Sequence, residues 1–173
     1  MLKIFSTQLQ GIFKKIEETE DFHFEEGARL LAQAVVSDGT VYVHGFDELK
    51  AVELTATIGP ERLKSSKSLF ENGKMNQIED IDRILIVTRS SNDVEAIELA
   101  KDLSNRGLSV VAISNVVENG ELASIVDVHI NSHLVKALIP DDEGNRYGYP
   151  TSIVALYAYY GLLFTIEEIA SEY

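Results

Sequence analysis

The chain has 173 residues, a length that predicts one domain with a substantial buried core. Apolar residues make up 45% of it and charged residues 25%, which is the composition of a globular protein. The formal net charge of −13 argues against a nucleic-acid-binding function, because contact with a phosphate backbone needs a basic surface. Cysteine is absent, which excludes disulfides and thiolate chemistry and favours a cytoplasmic location.

The N-terminal segment predicts two helices rather than a targeting sequence. Gln8 and Gln10 interrupt any apolar stretch, and two lysines follow, so there is no signal-peptide pattern. Residues 2–18 predict an amphipathic helix and residues 25–36 a second helix. The apolar face of the first helix is aromatic-rich: Phe5, Leu9, Ile12, Phe13 and Ile16. We expect this face to pack on the domain or on a second subunit.

The first strand of a sheet is predicted over residues 41–44, and a helix follows it through about residue 57. His44 ends the strand, and Gly45-Phe46-Asp47-Glu48 forms the connection. Gly59 and Pro60 stop the helix. Residues 61–70 predict a short second strand, followed by a turn at Asn72-Gly73.

Residues 83–115 predict a strand, a loop, a helix and a second strand. Residues 84–87 and 108–113 are continuous apolar runs, the pattern of strands buried on both faces of a parallel sheet. Asn92 is the predicted N-cap of the helix, with Glu95 as its capping-box partner, and Gly107 ends the helix. The stripe facing the sheet is predicted to be Val94, Ile97, Ala100 and Leu103.

The loop within this unit predicts an anion site. It lies between the carboxyl end of a strand and the amino end of a helix, where open α/β sheets bind ligands and where backbone N–H groups favour an anion. Its residues add hydroxyl donors and a cation: Thr88, Arg89, Ser90, Ser91, Asn92 and Asp93. A phosphate would fit. The alternative is that these are ordinary loop and capping residues, since Ser, Thr and Asn favour helix starts in any case.

The remaining chain predicts a last strand, a long irregular segment and a buried helix. Ser114 ends the strand at residues 110–113, and residues 122–130 predict a short helix and a strand. Residues 134–150 are irregular, and Arg146 within them either reaches an anionic ligand or lies on a surface loop. Thr151 is the predicted cap of a helix over residues 152–171. Its apolar run, residues 153–166, is shorter than the roughly 20 residues of a membrane span.

These elements predict a three-layer αβα sandwich around a five-stranded parallel sheet of flavodoxin-like order. We expect one domain over residues 1–173, with helices at residues 1–20 and 151–171 packing on the domain or on a dimer partner. No metal site is predicted, because no carboxylate or cysteine cluster accompanies His129 and His133. Dinucleotide and P-loop fingerprints are absent from the sequence.

The strand–loop–helix unit resembles the second signature of the SIS (sugar isomerase) domain superfamily. That signature is a strand, Ser-x-Ser-Gly-x-Thr/Ser, a helix, a glycine and an apolar strand. Thr88 and Ser90 fall on the two serines, Ser91 on the glycine and Asp93 on the last hydroxyl position. The resemblance extends in weaker form from about residue 25 to the C-terminus. It implies that the loop holds the phosphate of a phosphosugar.

The first signature of the superfamily, a strand followed by Gly-x-Gly-x-Ser, is matched only at Gly45. Its serine has become Leu49, or Asp47 if a gap is allowed. In the phosphoheptose isomerase branch a glutamate on the following helix is the catalytic base, and Glu53 is the best match. That branch also places a catalytic histidine on the last helix, and no histidine of this chain lies there.

The resemblance implies a phosphosugar isomerase of the aldose–ketose type or a phosphosugar-binding protein. In the isomerase, Glu53 or Glu48 would move a proton between adjacent sugar carbons while His44 assists ring opening. The alternatives are a non-catalytic phosphosugar sensor and a structural homo-oligomer. Further residues expected in the cleft are Gly45, Asp47, Ser114 and Arg146. No cofactor, nucleic acid or membrane is implied, and we expect a homodimer or homotetramer.

Overall fold

A five-stranded parallel sheet lies at the centre of the protein, in a computed structural model that describes residues 1–173. Helices α1 (Leu2–Thr19) and α2 (Asp21–Val36) precede it. Then come β1 (Val41–Gly45), a 3-10 turn (Asp47–Leu49), α3 (Lys50–Ile58), β2 (Ser66–Ser68) and a hairpin of β3 (Phe70–Glu71) and β4 (Lys74–Met75). The second half comprises β5 (Arg83–Ser90), α4 (Val94–Asn105), β6 (Val110–Asn115), α5 (Leu122–Ile125) and β7 (Val128–Asn131). A hairpin of β8 (Ile139–Pro140) and β9 (Arg146–Tyr147) leads to α6 (Thr151–Ala170).

The strand order confirms the predicted flavodoxin-like topology. The sheet runs β2-β1-β5-β6-β7 with every neighbouring pair parallel. The chain crosses to opposite faces of the sheet after β1 and after β5, so the carboxyl ends of these two neighbouring strands flank the topological switch point. Open α/β sheets have their ligand crevice at that point.

The helices cover both faces of the sheet, which confirms the three layers. One face packs against α2, α3 and α6 through a core that includes Val43, Leu85 and Val87. The other face packs against α4 and α5 through a core that includes Ile84, Ile86 and Ala112. Side chains of successive β5 residues therefore enter opposite cores, which explains why its apolar run is continuous rather than alternating.

The two terminal helices pack on the domain itself. The α1 side chain of Ile16 is fully buried with Leu138 and Val154, and the rings of Phe13 and Tyr157 stack with their centroids 4.1 Å apart. The α6 helix is long and apolar enough to cross a membrane by length and composition alone. Core helices of soluble proteins meet the same test, and the α6 side chain of Tyr159 is buried in the core against α2 and the sheet.

Three predicted helix boundaries were wrong by a few residues. Helix α2 begins at Asp21 rather than residue 25, because only Glu20 separates it from α1. Helix α4 is capped by Asp93 rather than Asn92, since the Asp93 carboxylate accepts the N–H groups of Glu95 and Ala96. Its buried stripe shifts with the cap to Ala96, Ala100 and Leu103, which leaves Val94 66% exposed. Helix α6 includes Thr151, whose side chain makes no capping bond.

Gly107 closes α4 in the left-handed conformation that the sequence predicts, with φ +75°. A Cβ atom at this position would meet nothing within 4 Å, so Gly107→Ala tests backbone strain alone. We expect the substitution to lower the free energy of unfolding by about 1 kcal/mol. Urea denaturation measures it, and an unchanged stability would contradict the assigned strain.

Candidate functional site

The candidate site, called the crevice below, is the topological switch point at the carboxyl ends of β1 and β5, where a tight connection follows β1. A Cβ atom on Gly45 would stand 2.1 Å from the Leu49 carbonyl oxygen, so only glycine fits there. Asp47, two residues on, has φ +49°, a conformation that favours glycine but that aspartate tolerates. The connection therefore contains one position that only glycine fits and a second in the left-handed conformation. Leu49 is buried in the core and cannot contact a ligand.

Arg89 spans the crevice from β5 to the β1 connection. Its Nε donates to Glu48 Oε1 at 2.7 Å and its Nη2 donates to Glu48 Oε2, a bidentate pair. Its Nη1 lies 3.3 Å from Asp47 Oδ2. The Arg89 side chain remains 51% exposed, so the guanidinium lies at the mouth of the crevice, in contact with solvent.

Glu48 also receives contacts from the last helix. The Thr151 hydroxyl donates to its carboxylate, and the Ser152 hydroxyl donates to its carbonyl oxygen at 3.1 Å. Hydrogen bonds from Arg89, opposed by partial burial and supported by Thr151, lower the pKa of Glu48 to about 2. Glu48 is therefore ionised at neutral pH and serves as the counter-ion of Arg89. Thr151 was not predicted here, because 103 residues separate it from Glu48.

Glu53 lies beneath the crevice, 1% exposed on α3. Its Oε2 accepts the Gly45 N–H at 3.0 Å, and its Oε1 accepts Lys50 Nζ at 2.7 Å. Burial alone would raise the pKa of this carboxyl, but its contacts with His44, Lys50 and the Gly45 N–H together lower it to about 2. Such a carboxylate is a weak base, and it anchors the connection after β1.

His44 is the partly accessible ionisable group next to Glu53. Its Nδ1 lies 3.4 Å from Glu53 Oε2, close enough for an ion pair but without hydrogen-bond geometry. The edges of the Phe46 and Phe70 rings hold the imidazole, with centroids 4.5 Å and 4.8 Å away. The side chain is 18% exposed, which gives it access to a ligand that Glu53 lacks.

The β5–α4 loop has its own carboxylate at the helix N-terminus. The Thr88 hydroxyl donates to Asp93 Oδ2, while Asp93 Oδ1 accepts the Glu95 N–H at 3.1 Å and the Ala96 N–H at 3.3 Å. A carboxylate here satisfies the helix dipole in the way that a phosphate would. The predicted N–H donors of this loop are thus already occupied in part.

The Ser91 hydroxyl has a hydrogen-bond partner within the protein, whereas the Ser90 hydroxyl has none. Ser91 is completely buried; its N–H donates to the Asn115 carbonyl at 2.8 Å and its Oγ accepts the Val117 N–H at 3.0 Å. It ties this loop to the one after β6 rather than facing the crevice. The Ser90 hydroxyl is buried but has no hydrogen-bond partner. Asn92 is exposed to solvent.

Two further predicted cleft residues have other partners. Ser114 is buried and its Oγ lies 2.7 Å from His129 Nε2 on the edge strand β7. Burial lowers the pKa of His129 to about 4, so the imidazole is neutral at physiological pH. Arg146 donates to the carbonyl of Leu138 at 3.3 Å, within its own hairpin. The crevice thus joins His44, Asp47, Glu48 and Arg89, but not Ser114 or Arg146.

A concavity lies beside β7, away from the carboxyl ends of β1 and β5. It is a cavity of about 450 Å³ whose lining includes Glu20, His23, His129 and Asn131. Glu20 is buried and its carboxylate accepts the Asn131 N–H at 3.0 Å while pairing with His133 Nε2 at 2.7 Å. The histidines of this region therefore hold the α1–α2 junction against the sheet, a role that sequence spacing did not indicate.

Solved structures share this fold at low sequence identity. A protein from Escherichia coli CFT073, solved in complex with a sugar phosphate, superposes with a TM-score of 0.69 at 13% identity, over 97% of this chain and 89% of that chain. Phosphoheptose isomerase GmhA from Neisseria gonorrhoeae gives a TM-score of 0.64 at 14% identity, over 94% of both chains. These likenesses confirm the SIS fold that the signatures predicted.

Sequence similarity places the chain in a family. The uncharacterized protein YwjG of Bacillus subtilis is 42% identical over 174 residues, covering 100% of this chain and 99% of YwjG. A family model described as Domain of unknown function (DUF2529) matches residues 1–170. The chain is therefore a member of the DUF2529 family.

Proposed function

We propose that this protein binds a sugar phosphate in the crevice at the carboxyl ends of β1 and β5. The fold supports the proposal because the crevice lies at the topological switch point of the sheet. Arg89 supplies a cation at its mouth, and the Ser90 hydroxyl supplies a donor without a protein partner. The E. coli neighbour that binds a sugar phosphate has the same overall fold.

The observation that carries this proposal is the bidentate pair between Arg89 and Glu48. A phosphate offers two oxygens with the same fork geometry as a carboxylate, so it can replace Glu48 as the partner of Arg89. Because the pair is solvent-exposed, exchanging one anion for the other costs little. Asp47, Glu48 and Asp93 oppose a dianion electrostatically, so binding depends on this exchange at contact rather than on long-range attraction.

Removal of the competing carboxylate should therefore strengthen binding. We expect Glu48→Gln to raise phosphosugar affinity about tenfold, because it frees Arg89 and removes a like charge from the phosphate site. Titration calorimetry measures the change. Asp47→Asn is the matched control: it also removes a like charge, 3.3 Å from the guanidinium, but breaks no bidentate bond, so it should raise the affinity less; asparagine also tolerates its backbone conformation. A weaker affinity in Glu48→Gln would contradict the exchange.

Aldose–ketose isomerisation is the second candidate function, and the contact between His44 and Glu53 favours it. The buried Glu53 carboxylate lies next to the accessible His44 imidazole and can orient it, and an imidazole can transfer protons. In this assignment His44 moves the proton. Glu53 positions the His44 side chain, because Glu53 is buried and ionised and both its oxygens have donors. Turnover would exchange the hydrogen beside the sugar carbonyl with solvent, which proton NMR in D₂O detects. His44→Gln should stop the exchange and leave binding intact.

A thermal-shift screen tests the proposed function. Pentose, hexose and heptose phosphates are compared with the matching unphosphorylated sugars and with inorganic phosphate. A ligand at about 100 times its dissociation constant adds roughly 2.7 kcal/mol to the free energy of unfolding, which raises the melting temperature measurably. We expect one or two phosphosugars to raise it. Equal melting temperatures with every compound would overturn the proposal and favour a structural role.

Residues 1–173 form one functional domain in this proposal, in the cytoplasm and as a homodimer or homotetramer. Exposed apolar side chains on the helical surface support self-association, among them Leu2, Ile4, Phe22 and Phe164. Light scattering measures the oligomeric state directly.

A further inference from the structure

Asn115 is a buried polar residue that the phosphate site does not use. It ends β6, is 3% exposed, and its backbone carbonyl is fixed by the Ser91 N–H at 2.8 Å. Its side-chain oxygen Oδ1 is buried and accepts no hydrogen bond from the protein. Buried polar atoms without a partner are rare because they cost free energy, and each one needs an explanation.

The position of Asn115 in the sheet favours ligand binding as the explanation for its unpaired oxygen. In the sheet it is the register partner of Ser90, whose hydroxyl is also buried without a partner; the third such atom is His44 Nδ1 on β1. Register partners on neighbouring strands project to the same face of the sheet. A hydroxyl and an amide oxygen, both unpaired, therefore lie on neighbouring strands at the carboxyl edge, where open α/β sheets bind ligands.

We propose that Asn115 is a specificity-determining residue that binds hydroxyl groups of the sugar part of the ligand. The inference rests on the proposed function, and it assigns the two halves of the ligand to different residues. Arg89 on β5 pairs with the β1 connection and takes the phosphate; Asn115 on β6 takes the sugar. Strands β1 and β6 are two strand spacings apart, about 10 Å, which is similar to the length of an extended sugar phosphate.

The chemistry of the pair fits a polyol. A carboxamide both accepts and donates, and a serine hydroxyl does the same, so together they match adjacent sugar hydroxyls. A site built to hydrogen-bond a hydroxyl discriminates strongly against a ligand that lacks it, because its own polar groups then stay unpaired. Asn115 would thus select among phosphosugars that Arg89 binds equally well.

Asn115→Leu tests this inference, since leucine has a similar size and no polar atom. Without ligand we expect the variant to melt a few degrees higher than the wild type, because an unpaired buried amide oxygen is gone. The affinity for the phosphosugar that the wild type binds should fall at least about tenfold, while the affinity for inorganic phosphate changes less than about twofold. Asn131→Leu is the matched control: its Oδ1 accepts the Val116 and His133 N–H groups, so it should melt lower.

Each outcome is decisive. A stabilised variant that loses the phosphosugar but keeps inorganic phosphate supports the inference. A wild type that binds phosphosugar and an Asn115→Leu variant that binds it equally overturns the inference and leaves the proposed function standing. A variant that melts lower, as Asn131→Leu should, assigns Asn115 a structural role and also overturns it. A wild type that binds no phosphosugar removes the proposed function and this inference together.

Discussion

Replacing Arg89 by glutamine is expected to weaken phosphosugar binding about a hundredfold, because it removes a bidentate, charge-assisted pair from the phosphate. Unphosphorylated sugars should bind the variant as they bind the wild type. The fold should remain intact, since the Arg89 side chain is half-exposed and its partners are surface carboxylates. Titration calorimetry with one phosphosugar and its unphosphorylated form measures both effects.

Two further variants sharpen this prediction. Arg89→Lys keeps the charge but loses the fork geometry, so its affinity should lie between those of the wild type and Arg89→Gln. Arg106→Gln removes a similar exposed cation that pairs with Asp102 at 3.4 Å at the far end of α4, about 18 Å from the loop. It should bind like the wild type. If both arginine-to-glutamine variants lose affinity equally, Arg89 acts only through overall charge, and the assigned site is wrong.

Glu53→Gln is expected to lower the free energy of unfolding by about 3 kcal/mol at neutral pH. The value follows from the pKa of Glu53, which folding lowers from 4.5 to about 2. A carboxyl with a lowered pKa stabilises the fold above its unfolded pKa, and the contribution is lost as pH falls from 4.5 towards about 2. The difference between wild type and variant should therefore be full at neutral pH and shrink below pH 4.5.

Urea denaturation of both proteins, from about pH 7 to about pH 3.5, measures this dependence. Glu98→Gln is the control, because Glu98 is an exposed carboxylate on α4; it should change stability by less than about 0.5 kcal/mol at each pH. A destabilisation of Glu53→Gln that stays constant with pH would mean that packing, not ionisation, accounts for the effect.

The sheet was predictable because its strands carry strong local signals. The β5 and β6 runs are apolar on both faces, Gly107 ends α4 in the left-handed conformation, and Asn72 and Gly73 both have the positive φ of a tight hairpin turn.

The cap of α4 was not predictable to the residue. Asn92 and Asp93 are adjacent and equally suited, and only the folded loop, in which Thr88 bonds Asp93, separates them.

The candidate site was predictable in place but not in detail. Sequence placed Arg89 and Glu48 at neighbouring strand ends, but their bidentate pair depends on the shape of the β1 connection, which Gly45 and Asp47 set. The role of Ser91 in joining two loops depends on β6 and the loop after it. Asn115 carries no sequence signal at all, because only its burial and missing partner distinguish it.

The departures from the SIS signatures have a common physical effect. The Asp93 carboxylate caps the N-terminus of α4, and the Glu48 carboxylate pairs with Arg89. The Leu49 side chain is buried in the core rather than facing the crevice. Acidic groups of the chain thus hold positions where a ligand anion would bind. If the proposed site binds a phosphosugar, the ligand displaces one of them, so we expect its binding to this protein to be weaker, and more responsive to acidic substitutions, than a loop of neutral hydroxyls would give.

Amide NMR mapping is the decisive experiment for sugar-phosphate binding in the crevice between β1 and β5. The ¹⁵N-labelled protein is titrated with the phosphosugar that gives the largest thermal shift, with its unphosphorylated form as the reference. We expect the amide signals of residues 45–49 and 88–93 to shift in a saturable way, together with that of Asn115, and we expect Arg89→Gln to abolish the shifts. Saturable shifts confined to the cavity beside β7, around Glu20 and His129, or no shifts with any phosphosugar, would contradict it.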